Sequence, residues 1–407
     1  MIIKKILFFS FILFCVSCTN ESFEMSNSCQ QNEMLIKSEK FHINESEAID
    51  IANRFFRNTT RSKSLDFKVE CVKNKKVEST RSNVYSHDTL AYILNRGDND
   101  GFIIISSDNR IFPILAFSES GTFKYKEDYN DVVYANFISR LDERLRSVEN
   151  SDSIVQVPEG FPVGCMKSYP KVSYTWTQTS PFNNCVVKDH PNCLAGCVAI
   201  AMAQAMVHCK DTLVYKKQES GEPVDKTYNL KMIREALADP DSIPVTYDSA
   251  MDEAAELVYQ IGHDVKMNYG TTLSGTDYKL MTPLFKGLEF IVREPDFTEY
   301  TENSRDIANS LLNDDIICVV GKGGPSGDRN NHAWIIDGCE FCWAENRPPY
   351  HNVTNLFLHC NWGWGGDCNG YYSGYYFMTD VEIYYTSYML YLTIGKNAVV
   401  KSYFDIF

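Results

Sequence analysis

Positive charge is what this chain has least of: 39 Lys and Arg stand against 53 Asp and Glu, a formal net charge of −14. Nucleic-acid binding draws its affinity from basic side chains that displace counterions from phosphate, so that class of partner has no electrostatic support. The one basic cluster, from Arg61 to Arg81, is broken by Asp66, Glu70 and Glu78 and reads as a solvated face. Beyond the first residues no stretch is apolar for long enough to cross a bilayer. Internal repeats and low-complexity tracts are absent too, which excludes solenoids and arrays. What remains is a globular chain of 407 residues, long for one domain, with 44% hydrophobic residues to fill its cores.

The N-terminus is different in kind. Residues 1–17 carry Lys4 and Lys5 ahead of an apolar run over 6–16, the anatomy of a signal peptide. Because Cys18 follows directly, the segment is similar to a bacterial lipoprotein signal. That likeness implies lipidation at Cys18, a polar tether over 19–40, and a membrane-anchored place in the bacterial cell envelope, with release after processing. Cys15 stands where leucine is usual, so cleavage by an ordinary signal peptidase stays the alternative. An exported chain can hold disulfides, and fourteen cysteines are many, but pairings are not legible in sequence. Cys339-x-x-Cys342 with His351, His359, Cys360 and Cys368 downstream has spacings too irregular for a zinc site, so no metal or cofactor is expected.

Two units follow. In the first, over 41–148, Asn44 caps a helix with Glu47 reaching back to it, and Ala48, Ile51, Ala52, Phe55 and Phe56 form the buried stripe. Short apolar runs at 90–94, 101–106 and 111–117, punctuated by Gly- and Asp-rich turns, predict an antiparallel meander. Phe137, Leu141, Leu145 and Val148 then mark a second helix over 134–148. Residues 149–160 are polar and end in Pro158-Glu159-Gly160, a linker open to nicking. The second unit, 161–407, starts with helices and ends in strands near 316–320, 332–337, 355–360 and 388–394. Ser249 caps one of those helices, which buries Met251, Ala254, Leu257, Val258 and Ile261. The fold class is therefore α+β, a central helix packed on an antiparallel sheet, preceded by a small α+β unit.

The central helix is the run from Cys197 to Cys209, apolar on every side and rich in Ala and Met. A cysteine in the opening turn meets unpaired N–H groups and the positive end of the helix dipole, which favour its thiolate. His332 is the best-placed base, because it leaves a glycine-rich loop and opens a strand. Asn361, in Asn361-Trp-Gly-Trp364-Gly-Gly366, offers an amide oxygen to the Nδ1–H of His332, with the tryptophans shielding the bond. Gln178 can join the Cys197 N–H as an oxyanion donor. His208 and His263 are more simply structural.

The ordered set Trp176-x-Gln178-x-x-Pro181-Phe-Asn183, Gly196-Cys197-Val-Ala-x-Ala-x-Ala-Gln204, His332-Ala-x-x-Ile-Asp-Gly338 and Asn361-Trp-Gly-Trp-Gly-Gly366 resembles the streptopain-like cysteine peptidases. Residues 41–148 also look like that family's propeptide, in Gly101-Phe-Ile-Ile-Ile-Ser-Ser-Asp108 and Pro113-Ile-Leu-Ala-Phe-Ser-Glu-Ser-Gly121. The resemblance implies a papain-like catalytic domain made as a zymogen, cleaving protein or peptide substrates and inhibited in cis by its own propeptide. It implies Cys197 as nucleophile, His332 as base, Gln178 as oxyanion donor, Asn361 and Trp362 as supports, and Ser274 as a substrate contact. His359 fits the family's pattern without being its base. The rivals are an amidase or transpeptidase using the same dyad, and a non-catalytic inhibitory or adhesive lipoprotein.

Overall fold

The computed structural model describes residues 40–59, 66–73, 89–123, 141–142, 144–148, 151–152, 154, 164–172, 176–219, 222–238, 244–293, 307–321, 332–343, 355–373 and 388–395. The signal segment, Cys18 and all of the tether but Lys40 lie outside them, as does most of the 149–160 linker.

The N-terminal unit starts with α1 (Glu45–Thr59) and continues through β1 (Phe67–Lys73), β2 (Thr89–Arg96), β3 (Phe102–Ser106) and β4 (Ile114–Ser118). The capping box of α1 is formed in both directions: the Asn44 N–H donates to Glu47 Oε2 at 2.9 Å, and the Glu47 N–H donates to Asn44 Oδ1 at 3.1 Å. All five residues of its apolar stripe are buried, against Ile103, Ile105 and Phe117 among others. Within the expected second helix, 141–142 and 144–147 are helical with Leu141 and Leu145 buried, and Val148 stands in a turn; 134–140 and 143 are not among the described residues.

The C-terminal unit opens with β5 (Gly164–Ser168), α2 (Val186–Asp189) and α3 (Cys197–Cys209), then the hairpin β6 (Leu213–Glu219) and β7 (Glu222–Tyr228). Next come α4 (Leu230–Ala238), α5 (Pro244–Asp264) and α6 (Met281–Gly287), followed by β8 (Ile291–Arg293), β9 (Ile316–Gly321), β10 (His332–Trp343), β11 (Asn355–Asn361), β12 (Gly370–Ser373) and β13 (Tyr388–Gly395). Helix α5 begins five residues before the expected cap, at Pro244, whose fixed φ suits a first helical position. Ser249 is thus an interior residue, while the five predicted core residues of that helix are all buried.

One antiparallel sheet runs through both units in the order β1-β2-β3-β4-β12-β11-β10-β9-β13-β8, with β5 paired to the far half of β10. The joint between the units is β4 against β12, with Phe117 opposite Tyr371 and Ala116 opposite Tyr372. Strand β10 therefore shows two faces to two cores. Ala333 and Ile335 pack with α3, whereas Trp334 and Ile336 pack with Leu90, Phe102, Leu115 and Phe123 of the N-terminal unit. The expected α+β arrangement, a central helix laid on an antiparallel sheet, is the one observed.

Candidate active site

Helix α3 opens at Cys197, and its cap residue Gly196 has φ 92°, a left-handed value that suits glycine. Space demands glycine as well: a Cβ there would stand 2.7 Å from the Sδ and Cε of Met267. No side chain caps the helix, so its first N–H groups stay available. The approach to the helix is fastened from both sides. Ala195 N–H donates to the Gln178 carbonyl at 2.9 Å, and Leu194 N–H to the Gly270 carbonyl at 3.0 Å. Asn183 Nδ2 donates to the Cys193 carbonyl at 2.9 Å.

The segment holding Gln178 also reaches the tryptophan loop, because Gly365 N–H donates to the Trp176 carbonyl at 2.7 Å. Gln178 thus lies between the approach to Cys197 and residues 362–366, half-buried, with its side chain on the same short stretch as those two bonds. Ser274 is placed differently from the expectation of a substrate contact. It is buried, its hydroxyl donates to the Leu194 carbonyl at 2.7 Å, and it accepts from Gly270 N–H at 3.0 Å. In this structure it fastens the 268–275 loop to the irregular segment that leads into Cys197.

His332 begins β10, and Nε2 lies 2.9 Å from the Trp362 carbonyl. Its ring packs on Trp364 at 4.8 Å between centroids, with Trp334 and Trp362 stacked at 6.1 and 6.4 Å. Both the atom and the partner differ from the sequence expectation. Asn361 lies opposite Ile335 in the β10–β11 register, and paired residues project to the same face, so its side chain turns toward α3. Asn361 Oδ1 accepts from Gly363 N–H at 3.2 Å, and the main-chain carbonyl of the next residue anchors the imidazole. Trp362 is buried, with its indole N–H on the Cys368 carbonyl at 3.1 Å. Trp364, the ring nearest the imidazole, is the contact that reasoning by motif undervalued.

With Nε2 engaged, Nδ1 is the nitrogen left for the thiol. No hydrogen bond joins Cys197 to His332 among the described residues, but the Cys197 thiol lies against the backbone of Ala333, the next residue along. Burial pushes that thiol up from its ordinary value, opposed by the backbone of Ala333, Val198 and Cys197 itself. Burial likewise pushes His332 down to about 4, opposed by the Trp362 carbonyl. The expected depressed thiol is therefore not what this state holds. At Cys197, which is half-buried, burial outweighs the backbone contacts that would favour the thiolate, and burial likewise disfavours the charged form of His332.

A second buried histidine could mislead. His359 Nδ1 lies 2.6 Å from Asp337 Oδ1, whose other oxygen accepts from Val172 N–H at 3.0 Å. That pair belongs to the β5–β10–β11 junction and packs on Tyr371. His208 is likewise structural, with Nε2 3.1 Å from the Asp314 carbonyl. Cys185, Cys193, Cys318, Cys339 and Cys360 carry free thiols.

Residues 176–372 match the model of the Peptidase C10 family, and residues 40–144 match that of the Spi protease inhibitor. Streptopain of Streptococcus pyogenes is 25% identical over 374 residues, 82% of this chain and 85% of that protein. The thiol protease/hemagglutinin PrtT of Porphyromonas gingivalis is 22% identical over 321 residues, 70% of this chain and 33% of that protein. Among solved structures, a prointerpain A fragment of Prevotella intermedia is similar in fold, with a TM-score of 0.51 at 16% identity, covering 82% of this chain and 99% of that one.

Proposed function

This chain belongs to the Peptidase C10 family, a cysteine peptidase of papain-like fold preceded by a Spi-type inhibitor domain, and from that premise we propose that Cys197 and His332 are its catalytic dyad. The observation that carries the reading is the packing of the Cys197 thiol on the backbone of Ala333, beside an imidazole whose Nε2 is already engaged. His332 Nδ1 takes the thiol proton, and the thiolate attacks the carbonyl carbon of a peptide bond. The oxyanion is received by the Cys197 N–H and the Gln178 side chain. As the C–N bond breaks, His332 returns its proton to the leaving amine. Water then gives a proton to His332 and attacks the thioester, the C–S bond breaks as His332 passes that proton to the sulfur, and the acid product leaves. Asn361 holds the turn that presents the Trp362 carbonyl, and Trp362 and Trp364 keep water from the imidazole.

In this reading 41–148 is the propeptide, 149–160 the activation linker and 161–407 the catalytic domain. Zymogen latency has a physical basis in the same geometry. Trp334 and Trp362, which flank His332, share a buried cluster with Phe102, Leu115 and Phe123 of the propeptide. Release of the propeptide would let water reach those rings, remove much of the desolvation on His332, and allow the imidazolium to form beside Cys197. Export follows from the signal over 1–17, and lipidation of Cys18 would hold the enzyme at the cell envelope.

The test is incubation of the purified chain under mild reducing conditions with denatured protein and, separately, with peptidoglycan fragments, beside a Cys197→Ala control. Peptide cleavage, a new N-terminus near 149–160 and stoichiometric alkylation of Cys197 are expected. Cleavage that persists in Cys197→Ala sinks the nucleophile assignment; turnover of peptidoglycan alone replaces the substrate class.

A further inference from the structure

Helix α3 is apolar through its first eleven residues with one exception, Gln204. It lies two turns beyond Cys197 and on the same face of the helix. Its side chain is fully buried, and neither Oε1 nor Nε2 has a hydrogen-bond partner. An amide left unpaired on both ends inside a core is costly, which makes the position informative. A second orphan is close by. Asn361 is 1% exposed, and its Nδ2 also lacks a partner.

The two face the same place. Asn361 shares the α3-facing side of the sheet with Ile335, and its Oδ1 is taken by Gly363 N–H. Gly363 in turn borders α3: a Cβ at that residue would stand 3.0 Å from Ile200 Cγ2 and 3.6 Å from Gln204 Nε2. Gly363 also has φ 71°, so the turn is built for glycine, and α3 packs directly on it. One side chain has an oxygen to offer and the other has N–H groups to place.

We propose that Gln204 is a positioning residue, joined to Asn361 through one water that accepts from Asn361 Nδ2 and donates to Gln204 Oε1. The bridge ties the nucleophile helix to the turn that carries the Trp362 carbonyl, and through that carbonyl to His332. Sulfur and imidazole are then held by one connected frame. The inference rests on the dyad reading above, and Gln204 touches neither substrate nor reacting atoms.

The variant that tests it is Gln204→Met, similar in length and without an amide. In the processed enzyme kcat should fall about tenfold with KM kept within about twofold, and the pH profile of Cys197 alkylation should move. The melting temperature should fall, since Asn361 Nδ2 is then left buried without its acceptor. Gln204→Glu, which keeps an acceptor oxygen, should recover part of kcat. Asn361→Leu, which also loses the Gly363 contact, should cost at least as much as Gln204→Met, and the double variant little more than Asn361→Leu alone, because the two act as one unit.

The proposal is overturned if Gln204→Met keeps kcat and the alkylation profile, or if the two losses multiply. Should Gln204→Met not fold, a high-resolution crystal structure of the unaltered zymogen decides. One water shared by Gln204 Oε1 and Asn361 Nδ2 supports it, and any other arrangement refutes it. Failure of the dyad itself is distinguishable: the unaltered chain would then be inactive and Cys197 unlabelled.

Discussion

Acidifying the Cys197→Ala zymogen from about pH 7 to about pH 5 should cost stability through one identifiable group. His332 is 4% exposed, and burial holds its proton affinity at about 4 where an ordinary histidine has 6.5. Between those values the unfolded chain binds a proton that the folded chain refuses, so acid favours unfolding. The contribution is intact above about 6.5 and is lost as pH falls toward about 4. At about 1.4 kcal/mol per unit the whole effect is about 3 kcal/mol, of which about 2 kcal/mol is spent by pH 5. Other groups titrate in the same range, so the informative quantity is a difference. Cys197→Ala should lose about 2 kcal/mol more between the two pH values than Cys197→Ala carrying His332→Gln, measured by urea denaturation of both. Parallel losses in the two proteins would refute a neutral, desolvated His332. In the chain with its thiol, the same linkage should make mild acid loosen the packing around His332.

Other outcomes follow from single contacts. Cys197→Ala should lower peptide hydrolysis by about 10³-fold or more while leaving the melting temperature near that of the unaltered chain; residual turnover above that would point to another nucleophile. Gly370→Ala adds a methyl group 2.9 Å from both the Phe117 carbonyl oxygen and Phe102 Cζ, at the joint of the two units. The overpacking should weaken the propeptide's seat by about 1–3 kcal/mol, so self-processing of the full chain should speed up, and an unchanged time course on a gel would count against the joint. Trp364→Ala removes the ring packed 4.8 Å from His332 and should lower kcat roughly 3- to 10-fold, about the value of one aromatic contact. Asn44→Ala breaks the capping box of α1 and should cost about 1 kcal/mol in a urea titration, with no effect on kcat of the processed enzyme.

What the sequence disclosed was mostly local. The capping box at Asn44, the apolar stripe of α1 and the helix from Cys197 to Cys209 depend on neighbours within two turns, and each is present as read. Strand β1 was masked by its own charges: Lys68, Glu70 and Lys73 suit the outer edge of a sheet, where charge discourages further pairing, and only Val72 is fully buried. The hairpin β6–β7 hides in the same way, with Lys216, Lys217 and Glu219 on one strand.

The partner of His332 was illegible for a different reason. Asn361 and Trp362 are adjacent, and in an extended strand adjacent side chains point to opposite faces while carbonyls leave along the sheet. Which of an amide side chain and a main-chain oxygen reaches the imidazole is decided by register, Ile335 opposite Asn361, and not by the identity of either residue. The joint of β4 with β12 lies further still from local pattern, because it pairs strands from two units whose sequences read as complete by themselves. That joint changes how inhibition is understood. The propeptide is continuous with the sheet that carries His332, and its Phe102 and Phe123 share a core with Trp334 and Trp362. Peeling it away must therefore break main-chain pairing and open a core in one step. Because the inhibitor domain completes that sheet, a substitution that spares Cys197 and His332 but disturbs the joint, such as Gly370→Ala, should change when the enzyme acts before it changes how well.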